Sequence, residues 1–422
     1  MTYGPLASGF VFAARRVSRK VMMPDWPLML PDSVADAGDM AERHTEHRVT
    51  GLLQSGAIVR LLGAQAFHAD AVVEAVDAAR GLLPEPARKA LVESGLEGLA
   101  DAVLLENQFG PHHFALSPSR RLYYHMRPFL PGAARALLRR GVVSRTGRSD
   151  LLRWPVEDRF VSFVEQVRKV LEESQSMRAL SWWPSGQSFA VVLTHDVEGP
   201  FGLAHLMDVL SVEREAGFRS SVSFVGNTYG VPDSLLQELR AEGFEIALHG
   251  WRHDGRDFSS RRLFDERVPR MNQRLREWDA VGFRSPMTHR NPAWMQDLDV
   301  AWDSSFFDTD PYEPMPGGVM SIWPFVMGRF VELPYTLPQD HTLIETLGET
   351  SPRVWLEKLD FLAAHNGMAL VNVHPDYICR KGRLRMYEEF LQEVTRRPGY
   401  WHALPRDVAS WTLERWRGDL SD

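Results

Sequence analysis

FAVVLTHDVE, residues 189–198, is the stretch that decides the fold: five apolar residues, Phe189 to Leu193, run directly into Thr194, His195, Asp196, Val197 and Glu198. An apolar, β-branched run of this length reads as a buried strand. Polar residues that follow such a strand at once lie at its C-terminal end, where parallel β/α folds collect their active sites. Side chains along a strand alternate between its two faces, so Asp196 and Glu198 share one face and His195 takes the other. Two carboxylates therefore project together into the space above the sheet.

Reading downstream, the same texture repeats. A helical pattern through HLMDVLSVEREAG is followed by RSSVSFVG, then PDSLLQELRAEG, then FEIALHG; later come FVELPYT, SPRVWLEKLDFLAAHN, MALVNVHP and LRMYEEFLQEVTRR. Strand alternating with helix predicts parallel β/α units. Six or seven strands suffice for a closed barrel and also for an open sheet. Reading upstream, SWWPSGQ (181–187) is a turn-rich boundary. Before it the chain is mainly helical, in HADAVVEAVDAARGLL, PEPARKALVESGLEGLADAVLLE and EDRFVSFVEQVRKVLEES, where apolar residues recur at three- and four-residue spacing. Two regions are expected: 1–185, mainly helical and of no assigned role, and 186–422, which carries the chemistry.

A length of 422 residues allows two or three domains, and 44% hydrophobic with 24% charged residues is ordinary for a folded enzyme. A formal charge of -7 argues against a protein built to grip nucleic acid. Cys379 is the single cysteine, which excludes an intramolecular disulfide and a cysteine-based zinc site. No uncharged apolar run reaches the ~20 residues of a membrane span, and the N-terminal basic residues follow rather than precede a short apolar patch, unlike a secretory signal. A cytoplasmic protein is expected. The basic stretch across 116–150 offers a contact to the inner-membrane surface or to a polysaccharide-assembly partner. The sequence leaves the oligomeric state open.

Two further strand ends carry chemistry. EIAL runs into His249 and His253, and MALVNV into His374 and Asp376. Two imidazoles four residues apart are a frequent metal-binding pair. With one carboxylate they make a nitrogen-and-oxygen set of three that leaves a coordination position open for water, as catalytic zinc requires.

At these residues the chain resembles the polysaccharide deacetylases, the family sharing the NodB homology domain, in a divergent bacterial branch. Thr194-His195-Asp196-Val197-Glu198 is similar to that family's first motif, His249-Gly250-Trp251-Arg252-His253 to its second, and Arg284-Ser285-Pro286 to its third. The run Asp303 to Asp310 resembles the acid-rich fourth motif, and Val373-His374 the last. The resemblance covers about residues 188 to 422 and implies a distorted barrel of about seven parallel strands. It implies a divalent metal on Glu198, His249 and His253, zinc first with cobalt, nickel and manganese as alternatives. It also implies Asp196 as catalytic base, Arg284 as the partner of that base and His374 as general acid. The substrate implied is an N-acetylated sugar or polysaccharide. Three departures stand out: His195 replaces an aromatic residue, Glu198 an aspartate, and Thr288 stands where glycine is frequent.

Substrate contacts are expected from His195, Trp251, the backbone N–H of Met287, His289, Asp308, Asp310, Asp340 and His341, with Trp294 and Trp323 as further stacking candidates. Two other readings fit the residues: hydrolysis of another non-peptide C–N amide bond, and a silent carbohydrate-binding protein on the same fold.

Overall fold

The computed structural model describes residues 51–54, 56–63, 69–116, 122, 126, 151–174, 180–380 and 382–417. The basic stretch 116–150, apart from 116, 122 and 126, lies outside them, as does the N-terminal patch.

Among the described residues nine strands form one sheet: β1 (Phe189–Val197), β2 (Ser221–Phe224), β3 (Glu245–Leu248), β4 (Gly282–Phe283), β5 (Trp302–Asp303), β6 (Phe325–Met327), β7 (Phe330–Glu332), β8 (Met368–Val373) and β9 (Tyr400–His402). Seven of them, β1 to β5 with β7 and β8, run parallel in the spatial order β7-β5-β4-β3-β2-β1-β8. The chain just past β7 joins the two ends of this series, because the backbone N–H groups of Thr336 and Leu337 both donate to the Leu370 carbonyl of β8 (3.2 and 3.0 Å). The result is the expected distorted barrel of about seven parallel strands. β6 pairs antiparallel with β7, and β9 lies parallel to the first residues of β1.

All nine residues of β1 are buried, as a strand covered on both faces requires. Helices Pro200–Glu215, Asp233–Ala241, Arg261–Glu277, Arg353–Ala364 and Leu384–Thr395 follow the strands and face the barrel with apolar residues such as Leu206, Leu239, Phe264, Leu359 and Phe390. Each strand end therefore opens on the same side, bringing residues 180 positions apart to one rim.

The described α-helices of the N-terminal half, Ala57–Leu61, Ala69–Ala79, Glu85–Leu104 and Arg159–Glu173, share one continuous apolar core with the barrel. The third of them is broken at Ser94 and Gly95, whose backbone is not helical. Reciprocal bonds tie this half to the C-terminal helix Pro405–Arg417: Arg415 Nη1 donates to the Leu61 carbonyl (3.1 Å) and Arg60 Nη1 to that of Trp416 (2.8 Å). Trp323, expected as a stacking surface for sugar, lies instead in this seam, its ring stacked on Trp182 at 4.4 Å. Trp294 is likewise buried, packed on Phe258 and Phe264. Among the described residues no helix is long and apolar enough to cross a membrane.

Candidate metal centre and the groups around it

Glu198 stands one residue past β1, His249 one residue past β3, and His253 in the turn that follows. Parallel pairing of β1 with β2 and of β2 with β3 sets these ends side by side, and one ligand atom from each of the three residues lies within 4.8 Å of the other two. Glu198 Oε1 is 3.1 Å from His253 Nε2. His249 Nδ1–H donates to the Arg284 carbonyl (3.0 Å), which leaves the lone pair on Nε2. That Nε2 is buried and meets no hydrogen-bond partner among the described residues. A buried acceptor without a donor is costly. A cation removes that cost, so the donor set fits a divalent metal of the zinc type.

The Glu198 carboxylate is held from two sides. Tyr377 Oη donates to Glu198 Oε2 (2.7 Å), and the Glu198 backbone N–H donates to Asp376 Oδ2 (2.9 Å). Asp376 Oδ1 also accepts from Gly202 N–H (3.1 Å) at the start of helix Pro200–Glu215, where a carboxylate complements the exposed amides. A Cβ at 202 would sit 1.9 Å from Asp376 Oδ2, so a larger residue there displaces that carboxylate. Burial works against the Glu198 charge, yet His253, His374 and Tyr377 outweigh it and hold the carboxyl well below its ordinary range.

Asp196 lies beneath this set, buried on the inner face of β1. Its Oδ2 accepts from Asn372 Nδ2 (2.8 Å) and is 3.7 Å from His249 and 3.8 Å from His374, while Oδ1 is 3.6 Å from Arg284 Nε. Burial alone would raise its pKa; His249, Arg284, His374 and Asn372 together lower it instead. Arg284 is itself aimed by Thr194 and Ser304, whose hydroxyl oxygens accept from Nη2 at 2.9 and 3.0 Å.

His374 follows β8, with Nε2 3.9 Å from Glu198 Oε1. Asp340 grips it twice, accepting from ring Nδ1–H (2.6 Å) and from the backbone N–H (3.0 Å). Burial pulls the imidazole down, but Asp340, Glu198 and Asp196 raise it to about 10. The ring is thus cationic at neutral pH.

The expected metal ligands, base, arginine and acid thus converge; several expected substrate contacts do not. His195 is fully buried on the outer face of β1, its Nε2–H donating to Glu213 (2.7 Å) and its Nδ1–H to the Val373 carbonyl (2.9 Å). It belongs to the layer between barrel and helix, not to the cleft. Asp308 is buried in an ion pair with Lys358 (2.8 Å). Asp310 is fully buried and accepts from Tyr312 N–H. Asp340 holds His374 rather than facing outward. Trp251 belongs to the apolar core, and His289 is buried with Nδ1 3.2 Å from the Gly255 carbonyl. His341 packs its ring 5.0 Å from that of Tyr377, near the ligands, and Met287 is half-buried with a left-handed backbone (φ 57°) shared by Thr288 (φ 51°). Such strain in two non-glycine residues clusters at functional sites.

Sequence reading missed Asn372, Tyr377 and Thr194. Asn372 and Thr194 had a signal: each is a polar residue in phase, two positions along a strand, with His374 or Asp196. Tyr377 had none, because its reach depends on the turn after β8.

No family model matches the chain, and no curated protein matches it. Among solved structures, a Mycobacterium smegmatis protein assigned as a polysaccharide deacetylase is similar at 22% identity over 57% of this chain and 94% of that one, with a TM-score of 0.45. A Pseudomonas aeruginosa PAO1 protein with the same assignment is 17% identical over 55% and 93%, TM-score 0.44. The PuuE allantoinase is 16% identical over 56% and 92%, TM-score 0.43.

Proposed function

We propose that this chain is a metal-dependent hydrolase that removes acetyl from an N-acetylated sugar, bacterial polysaccharide or polysaccharide precursor. The observation that carries the proposal is the convergence, at one rim of the barrel, of three metal-type donors with a buried carboxylate and a buried imidazolium of opposite charge. Glu198, His249 and His253 would hold a divalent ion, which would supply Lewis-acid polarisation and lower the pKa of water towards ~7.

The residues of the chain do the rest. Asp196, ionised and anchored by Asn372 and Arg284, is placed to accept a proton from the attacking water. His374 begins the reaction protonated and directs Nε2 into the same space, so it is placed to donate to the departing amine. Starting with the base bare and the acid loaded is the correct state for amide hydrolysis at neutral pH. Asp340 keeps Nδ1 protonated and fixes the ring so that Nε2 faces the site.

Five motifs in order within residues 194–374 favour an acetylated sugar over another amide. A silent binding protein is disfavoured because it has no need of a buried acid–base pair with shifted pKa values. The test is to titrate zinc, cobalt, nickel and manganese into metal-stripped protein while measuring acetate release from a panel of N-acetylated glycans. Release that depends on metal supports the reading; absence of release in every metal state moves it to the binding protein.

A further inference from the structure

The barrel loop after β4 runs from Arg284 to Arg290 and contains both strained residues, Met287 and Thr288. Its far end is held by a residue from the other half of the chain. Arg290 is fully buried, and its Nε and Nη2 donate in parallel to the two carboxylate oxygens of Glu106 (2.8 and 2.6 Å). Glu106 Oε1 also accepts from Gly318 N–H (2.7 Å), and Oε2 is 3.4 Å from His113 Nε2. Fork-to-fork pairing of this kind fixes direction as well as distance.

Several observations show that the contact is built. Glu106 itself has a left-handed backbone (φ 55°), which a non-glycine residue holds only when its surroundings impose it. A Cβ on Gly317 would lie 2.5 Å from Glu106 Oε1, so the loop opposite is glycine where the carboxylate passes. The Arg290 guanidinium is sandwiched against Phe306 and Phe307 (5.0 and 4.6 Å). Its remaining Nη1 donates to the Thr288 carbonyl (3.0 Å) and that of Met315 (3.2 Å). Thr288 Oγ1 in turn donates to Glu313. Glu106 thus reaches, through Arg290, the carbonyl of a strained residue four positions from Arg284. Arg284 is where the loop meets the chemistry: its side chain is paired with Asp196 and its carbonyl orients His249.

We infer that Glu106 is a positioning residue for the candidate metal centre, so that the helical N-terminal half completes the active site of the barrel instead of being a separable domain. The inference rests on the hydrolase reading for its activity arm and on the metal-binding geometry alone for its other arm.

The experiment uses the full chain, metal-stripped, as wild type, Glu106→Gln and the double variant Glu106→Leu with Arg290→Met. Glu106→Gln leaves Arg290 buried without its counter-charge and is at risk of misfolding, whereas replacing both partners by apolar residues of similar volume is usually tolerated. Far-UV circular dichroism and thermal unfolding identify the folded variants. Zinc affinity is read by calorimetric titration, and kcat and KM by acetate release. Loss of an outer partner of a metal ligand typically weakens metal binding or activity by ~10- to 100-fold. The folded double variant is expected to bind zinc at least ~10-fold more weakly and to lose ~10- to 100-fold in kcat with KM within ~3-fold of wild type. A folded double variant with wild-type zinc affinity and kcat overturns the inference and makes the pair structural cement. A double variant that cannot fold also overturns it, since the pair then serves the fold and not the site. If wild type binds zinc but releases no acetate from any glycan, the hydrolase reading fails and zinc affinity alone decides this one.

Discussion

Replacing Asp340 by asparagine separates the two things this carboxylate does for His374. With Asp340 present, the imidazole pKa is raised from its ordinary 6.5 to about 10, a difference of about 3.5 units or about 5 kcal/mol. Burial opposes that rise, and Asp340 is the foremost of the charges that overcome it. Asparagine is nearly isosteric and can still accept from Nδ1–H, but it brings no charge, so burial takes over and the pKa falls towards 6.5 or lower. At pH 8 the protonated fraction then drops from ~99% to ~3%, a loss of ~30-fold in the form able to donate a proton. Below pH 6 most of the loss disappears. A raised histidine also stabilises the fold fully below 6.5 and loses that contribution as pH rises through about 10, so the variant should be destabilised most near pH 5, with the gap to wild type narrowing as pH rises towards 10. The assay is kcat/KM for acetate release from pH 5.5 to 10.5, with zinc saturating. The alkaline limb is expected to move to lower pH. An equal loss at every pH would show that Asp340 acts only by orientation, and an unmoved limb would remove His374 from the role of acid.

Asp196→Asn should lower kcat by ~10²- to 10⁴-fold while zinc affinity stays within ~5-fold, since Asp196 lies beneath the ligands and is not one of them; calorimetric titration beside the rate assay separates the two. Gly202→Ala forces a Cβ into Asp376, so Glu198 loses its backbone anchor; zinc affinity should fall ~10-fold and stability by about 1–3 kcal/mol, and an unchanged affinity would show that Asp376 does not position Glu198. Glu245, the buried first residue of β3, is pushed up from 4.5 to about 7 by burial, despite the bonds from Trp302 and Arg406. The folded state then keeps a proton that the unfolded chain has lost, so stability is greatest below 4.5 and falls as pH rises through 7, by about 3 kcal/mol. Urea unfolding at pH 5 and pH 8 should show that slope in wild type and a much flatter one in Glu245→Gln.

The strand ends could be read from sequence because burial on both faces leaves so few reasons for a polar residue to follow an apolar strand. That reasoning points to Glu198, His249, His253 and His374 as candidates and to the opposed direction of His195. A substrate contact for His195 does not follow from that direction: in a barrel wrapped by helices, the face opposite Asp196 is the helix layer, where Glu213 accepts from it. β4 and β5 have two residues each, too few to show any period, and β9 is only half-buried. The acid-rich run from Asp303 to Asp310 looked like cleft wall, yet its carboxylates turn inward to Lys358, Ser305 and Tyr312. The insertion of Glu106 was invisible because no local pattern records which distant loop a helix end will meet.

The pairing of β1 with β8 joins residues 178 positions apart, Thr194 with Asn372 and His195 with Val373. On the proposed roles, a nascent chain therefore carries its base and all three metal donors for well over a hundred residues before the proton donor is even synthesised. Closing so long a loop is entropically slow, and it comes last. Until then the growing polypeptide lacks the proposed proton donor, so a product truncated before His374 should be inert.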